Sequence, residues 1–394
     1  MSFINNLKKV LRQNIREYGM FIALFLIMLI FTIATDGIFI SSRNISNLLN
    51  QTGYIAVLAV GMTLVIIIGQ IDLSVGFLAG FLGAVAAIAM VSWKLPVIVV
   101  IPLVMGFGAI AGVLTGLPVA KLGIPSFVAS LAGWLIYRGA LQMVTLKTGT
   151  IIIPNDAFNA IGNGYIPDIP GLDFLPGAHK LTLLLGIIAI ALFIFNEIRS
   201  RRKKKEYKFD ILPVDMFIFQ VMFVSLLIFG ITWILAGYNG LSWTVVIMLI
   251  VTAAYHYLSS ETVLGRYIYA VGGNPEAAEL SGINVEKIIL IVFGSMGMLA
   301  ALSGMLFASR LQSATTTAGQ LFELDAIAAA YVGGVSAAGG VGKVTGSIIG
   351  ALVMTSLTSG MNLMGIGISS QYIVRGAVLA LAVIFDVATR TRGK

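Results

Sequence analysis

The sequence predicts an all-α polytopic membrane protein of about 12 transmembrane helices. It reads as a ten-span core with an inverted repeat, plus one inserted helix pair. Three observations predict this. Of the 394 residues, 58% are hydrophobic and only 11% are charged, against roughly 25% charged in soluble domains, so the chain cannot face water on all sides. The apolar runs are continuous rather than alternating, which excludes a transmembrane β-barrel. Finally, runs approaching the roughly 20 residues that a spanning helix needs recur at 19–39, 52–69, 75–92, 96–118, 125–143, 181–196, 214–236, 243–258, 287–308, 325–341, 344–362 and 370–387. The first run is too long for a signal-peptide core and no small-residue cleavage site follows it, so it reads as a retained span.

Charge orients these spans. The net charge of +8 is not a nucleic-acid footprint, because the basic residues sort by loop. With the N-terminus inside, 18 of the 25 Lys and Arg side chains fall on the inner face, among them Lys8, Lys9, Arg12, Arg16, the RSRRKKK run from Arg199, Arg390, Arg392 and Lys394. Six fall outside, Arg43, Lys94, Lys147, Lys180, Arg310 and Arg375, and Arg138 stays within a span. Both termini are therefore expected in the cytoplasm.

Two segments interrupt the alternation of span and short loop. The outer stretch from about Thr145 to Lys180 is rich in Pro, Gly and Asn and long enough for a lid or docking surface. Its repeated prolines argue against a packed domain. Residues 197–213 form a basic linker that joins the sixth and seventh spans. That pair, about 181–236, reads as an insertion into a single membrane domain covering 1–394.

The repeat is read from acidic residues that open small-residue helices, Asp72 in IDLSVGFLAG and Asp325 in ELDAIAAAYVGG. Each is followed by a span with glycines four apart, Gly108, Gly112 and Gly116 in one and Gly346 and Gly350 in the other. Asp72 falls near the inner face and Asp325 near the outer, which is the inverted arrangement of many transport folds. Chance recurrence in a Gly/Ala-rich chain is the competing reading. The glycine sets are packing devices that bring helices close in lipid. Capping is the simpler role for Asp72, with Ser74 assisting, and for Asp325; lining a pathway is the other. Glu323 and Gln320 read as solvated loop residues or as part of a polar vestibule. Arg138 either snorkels outward or pairs with a carboxylate.

A polar island at about 259–287 carries its own helix punctuation. Asn274 suits an N-cap, Pro275 the first helical position, and Glu276 the positive end of the helix dipole. Gly282 suits the left-handed stop. The expected element is a two-turn helix from Pro275 to Ser281, either an ordinary interfacial loop helix or a contact through which a soluble partner moves the membrane part.

Chemistry is otherwise sparse. Cysteine is absent, and the two histidines, His179 and His256, have no spaced partner, so no zinc cluster or thiol nucleophile is expected. GGVGKVTG around Lys343 fails the phosphate-loop pattern, because Ala337 and Val344 stand where Gly and Ser or Thr are required. No catalytic constellation and no cofactor site appear. The span interiors are nearly free of charge, so a built-in proton or ion motor is not expected. Energy should arrive from a partner through the island.

The stretches IDLSVG, GRYIYAVGGNPEAAELSGINVEK and ELDAIAAAYVGGVSAAGGVGKVTGSIIGALV, in that order, resemble the permease subunits of bacterial ATP-binding-cassette importers for monosaccharides. The xylose type, longer by one helix pair than the ribose type, is nearest. The resemblance runs from Arg43 to the C-terminal spans. It implies a multi-pass protein of the bacterial cytoplasmic membrane that does not itself hydrolyse ATP. Its implied partners are a second permease subunit in a homodimer, an ATPase with two fused nucleotide-binding modules, and an extracytoplasmic sugar-binding protein. Its coupling segment maps onto Gly272 to Lys287, including Asn274 and Pro275, with Glu276, Ala277, Glu279, Gly282 and Ile283 against a groove of the ATPase. A facilitator or secondary transporter that needs no ATPase, and a related permease for nucleosides or another small polar solute, are the alternatives.

Overall fold

The computed structural model describes residues 15–146, 148–170, 177–209 and 213–391. The basic residues Lys8, Lys9, Arg12, Lys147, Arg392 and Lys394 lie outside them, as do the side chains of Arg16 and Arg390. Fifteen α-helices follow in order: α1 (Ile15–Ala34), α2 (Ser42–Ile67), α3 (Val75–Val91), α4 (Val97–Leu122), α5 (Ser126–Thr145), α6 (Asp156–Asn163), α7 (Lys180–Glu206), α8 (Val214–Ala236), α9 (Trp243–Glu261), α10 (Val263–Gly273), α11 (Pro275–Leu280), α12 (Val285–Leu311), α13 (Phe322–Val332), α14 (Val344–Leu363) and α15 (Ile368–Thr391). Among the described residues, nine helices are long and apolar enough to cross a membrane, and Gly19–Ala34 and Val75–Val91 are shorter apolar helices.

Each of the twelve apolar stretches lies on a helix, but the tenth is only partly helical. Residues 325–341 fall on α13, which ends at Val332 and at 11 residues rises about 16 Å, half a bilayer core. Gly334 there takes a φ of +88°, a left-handed step that only glycine makes cheaply. The chain then runs without helix to α14.

Helices α2 and α12 form the buried centre and pack on each other. Around them the same relations occur twice. Helix α12 packs on α3 and α4, and α3 on α5; helix α2 packs on α13 and α14, and α13 on α15. Helix α2 ends where α12 begins, at the end of the molecule that carries α10 and α11, so the two sets run in opposite directions. The recurrence read from the acidic helix starts thus has a counterpart in packing. Glycine brings these backbones together: a β-carbon on Gly112 would sit 2.1 Å from the Phe293 carbonyl oxygen, and one on Gly350 1.9 Å from that of Ala329.

The α7–α8 pair stands apart. The two helices pack on each other, and α8 touches α2; large apolar side chains such as Leu192, Phe195, Met222 and Leu226 are exposed along it. Arg201 lies 4.6 Å over the Phe217 ring and pins the basic end of α7 to α8.

The 145–180 stretch is more ordered than its prolines imply. Its β1 (Thr150–Ile152) pairs antiparallel with β2 (Ser313–Thr315), Ile151 opposite Ala314. Helix α6 follows, capped by Asn155, with Phe158 wholly buried. The Gly162 N–H donates to Ser309 Oγ at 2.7 Å, and Ser309 Oγ donates to the Phe158 carbonyl at 2.6 Å. A buried phenylalanine and this bonding hold the stretch down on the end of α12. Residues 147 and 171–176 of the stretch lie outside the described residues.

Candidate functional site: two ends of one long helix

The first end is the polar island, whose local structure follows its punctuation. Asn274 Oδ1 accepts from the Ala277 N–H at 3.0 Å, with Pro275 in the first turn. At the other terminus Ser281 follows the helix and Gly282 takes a φ of +84°. The Ile283 N–H then reaches back to the Ala278 carbonyl at 3.0 Å, a closing bond that satisfies an orphan carbonyl. Asn284 starts the next helix by accepting from the Lys287 N–H at 2.8 Å. Of α11 only Ala278 is buried; Glu276, Ala277 and Glu279 are exposed and Leu280 is 91% exposed. Helix α11 is thus a short rod, fixed at both ends, that shows its side chains to the outside.

Gly272, one turn before the rod, is placed differently from its neighbours. It lies against the last carbonyl of α2, Ile67, and against Gly340 of the α13–α14 connection. The Gly340 N–H donates to that same Ile67 carbonyl at 2.8 Å, and Tyr269 Oη donates to the Gly342 carbonyl at 2.7 Å. On the far side of the connection, Asp386 of α15 accepts from Ser336 Oγ and the Ala337 N–H, each at 3.2 Å. Helix α10 is therefore clasped to the end of α2 and to the α13–α14 connection, while the rod leads directly into α12. Lys121 and Glu286 form an ion pair between the end of α4 and the start of α12.

The second part is a cavity beside the middle of α2, continued by a lobe along the first turns of that helix. It encloses about 170 Å³ and is lined by Gln51 and Tyr54 of α2, by Gln320 to Phe322 and Asp325 of the α13 start, by Thr355 and Thr358 of α14, and by Tyr372 and Arg375 of α15. Asp325 and Arg375 form an ion pair across it. Asp325 does not cap its helix, whose N-terminal residue is Leu321 at a φ of +66° with no side-chain cap. An adjoining lobe is lined by Asn44, Asn47, Gln51, Arg310, Ser359 and Asn362. Tyr54 packs on Phe322 and Phe307 with ring centroids 5.1 and 5.2 Å away.

The other acidic residues lie deeper. Asp72 is 1% exposed, and its Oδ1 accepts from the Ser74 N–H at 2.9 Å and from Ser74 Oγ at 2.6 Å, a turn that sets the start of α3. Glu323 is not a solvated loop residue. It is 4% exposed, accepts from Trp134 Nε1 at 3.1 Å, and lies beside Gly76, since the turn at Leu321 aims it between α3 and α5 rather than outward. Arg138 makes no carboxylate pair among the described residues; its guanidinium lies 5.3 Å over the Trp134 ring and 5.7 Å over Phe77.

Sequence reasoning missed Gln51, Tyr54, Asn44 and Asn47 of α2 and Asn362 of α14. A signal for the four on α2 was available: they are spaced three, four and three apart, along one face of a helix whose first half is polar and whose second half is apolar. Among the described residues no group of His, Cys, Asp and Glu could hold a metal ion.

The comparisons agree with this architecture. No solved structure matches the chain significantly. It is 40% identical over 385 residues to the xylose transport system permease protein XylH of Haemophilus influenzae, covering 98% of this chain and 99% of the relative. It is 41% identical over 382 residues to XylH of Escherichia coli K12, covering 96% and 93%. To the ribose import permease protein RbsC of Haemophilus influenzae it is 36% identical over 374 residues, covering 94% and 93%. Residues 44–383 match the family described as the permease component of the branched-chain amino acid transport system, and the chain belongs to that family of membrane permeases.

Proposed function

We propose that this chain is the membrane-spanning permease subunit of an ATP-binding-cassette importer, and that it passes a monosaccharide delivered by an extracytoplasmic binding protein. Xylose is the first sugar to test and ribose the second, in the order of the relatives' identities. The complex contains two copies of this chain and a separate ATPase, which supplies the energy.

The observation that carries this reading is α11. Its exposed face, with Glu276, Glu279 and the 91% exposed Leu280, fits a partner groove of mixed polar and apolar character. A push on it travels by two routes: through the Gly272 contact to Ile67 and Gly340, and directly into α12 through Asn284. Closure of the ATPase on ATP would then move the ends of α2 and α12 together, and these are the two helices about which the halves of the fold are arranged.

The reading is tested by purification and reconstitution. Wild-type chain should bring down an ATPase subunit, and Leu280→Asp should lose it while remaining in the membrane. Sugar flux through liposomes holding this chain without any ATPase would overturn the proposal in favour of a facilitator.

A further inference from the structure

We propose that the cavity beside the middle of α2 is a transient binding site for a neutral, polyhydroxylated solute small enough to be a single sugar ring. The proposal rests on the monosaccharide reading and deepens it by naming where in this chain the sugar is held.

Size comes first. Pockets for drug-sized ligands run to about 300–1,000 Å³; the inner cavity holds about 170 Å³, a space for a much smaller solute, and the adjoining lobe of about 310 Å³ is the more open approach to it. Charge comes second. Asp325 and Arg375 offset each other within the cavity, so its own lining carries no net charge, and the one further charged side chain is Arg310 in the adjoining lobe. Only one Asp325 oxygen is engaged by Arg375 Nη2. The other oxygen, and the remaining guanidinium N–H groups, have no partner among the described residues. An acceptor thus lies beside donors, which matches two neighbouring hydroxyls that each donate and accept. Gln51 adds an amide with both functions to the same lining.

The third element is apolar. Tyr54 and Phe322 line the same cavity and are held by Phe307, the Phe307–Phe322 centroids 4.9 Å apart edge to face. Rigid ring faces beside a few fixed polar groups are how small sites orient a ligand that has a C–H face and hydroxyl edges. The arrangement also binds weakly by design, since each hydroxyl exchanges a bond to water for a bond to protein and the net gain per bond is modest. A solute in transit has to leave again.

The native chain has no cysteine, so an introduced thiol is its only target for a thiol reagent. Gln51→Cys and Thr358→Cys would be made in the complete transporter in cells, with Trp93→Cys as a control outside the cavity at an exposed position. A membrane-impermeant thiol reagent should label all three. Labelling at 51 and 358 should abolish xylose or ribose uptake, and the transported sugar should slow it several-fold; labelling at 93 should do neither. Arg375→Gln should raise the sugar concentration at half-maximal uptake more than tenfold, whereas a merely structural pair would lower the amount of inserted protein and leave that concentration unchanged. Sugar-independent labelling at 51 and 358, or full uptake after labelling, would overturn the cavity assignment. Stronger protection by a hexuronate anion than by neutral sugars would overturn the neutral class. If the parent transporter accumulates no neutral monosaccharide, the monosaccharide reading fails as well, and that result is read from uptake alone.

Discussion

Gly272 and the Ile67 carbonyl oxygen are in such close contact that a β-carbon on Gly272 would sit 1.7 Å from that oxygen. The obstacle is backbone, so no side-chain rotation relieves it. Its chain neighbour Gly273 has nothing within 4 Å of a built β-carbon. Gly272→Ala should therefore force the clasp open, at about 1–3 kcal/mol, the usual scale of overpacking, while Gly273→Ala should be nearly neutral. Thermal melting of the purified proteins in detergent measures the first difference. Sugar uptake, lost for the first and retained for the second, measures whether the clasp transmits motion.

The rod itself separates stability from coupling. Gly282 has a φ of +84° with open space around it, so Gly282→Val meets no neighbour but pays about 1–2 kcal/mol for a left-handed backbone. Glu279→Arg lies on the exposed face and should change stability by less than about 0.5 kcal/mol. Both should reduce uptake more than the melting temperature accounts for. Normal uptake in Glu279→Arg, at wild-type levels in the membrane, would remove α11 as the site of ATPase contact.

Asp72 makes two hydrogen bonds through one oxygen to one residue, Ser74. An amide oxygen can accept both. Asp72→Asn should then hold the start of α3 nearly as well as the native residue, whereas Asp72→Ala leaves two buried donors unmatched at about 2 kcal/mol. Thermal denaturation of the pair checks this, and an equal loss in both variants would assign the role to the carboxylate charge instead.

At the α7 start, outside the spans, Asp168 gives a pH dependence. Partial burial acts to raise its pKa, but the N–H groups of Leu181, Lys180 and Ile169 and the neighbouring His179 outweigh that and hold the carboxyl at about 2, below the ordinary 3.8. A depressed carboxylate contributes its stability above the ordinary value and loses it as pH falls through the folded value. The anchorage of α7 to the 165–169 segment should therefore be full above pH 4 and weaken between about pH 4 and pH 2. Hydrogen exchange at the Leu181 amide, read against pH, tests it; Asp168→Asn should remove the step.

The elements that sequence revealed are those whose cause is local. Asn274, Pro275 and Gly282 each act on their own backbone, so the rod and its limits could be read within one residue of their place. The glycines four apart likewise marked close helix contacts, because small-residue spacing is itself the packing rule. The cavity was legible only in pieces, Gln320 and Asp325 among them, and its ion pair was not: Asp325 and Arg375 are 50 residues apart, and nothing in either segment announces the other. Glu323 misled because an acidic residue in a loop next to a helix is usually wet. Its burial depends on Trp134, 189 positions away, and on the absence of a side chain at Gly76. The early end of α13 was missed because small and apolar residues continue past Val332, where the helix stops, to Val335, and the left-handed glycine at 334 marks the break.

Helix α2 lines the cavity and its lobe along its first half and ends in the clasp, a single run of 26 residues about 39 Å long at the usual rise. An uninterrupted helix of that length is nearly incompressible, so it behaves as a see-saw rather than a spring: its tips cannot adopt unrelated positions. Escort of cargo along the first half and occupation of the far end by a motor are then mutually informed events. Futile strokes without cargo, and leakage of cargo without a stroke, are restrained by the same piece of backbone.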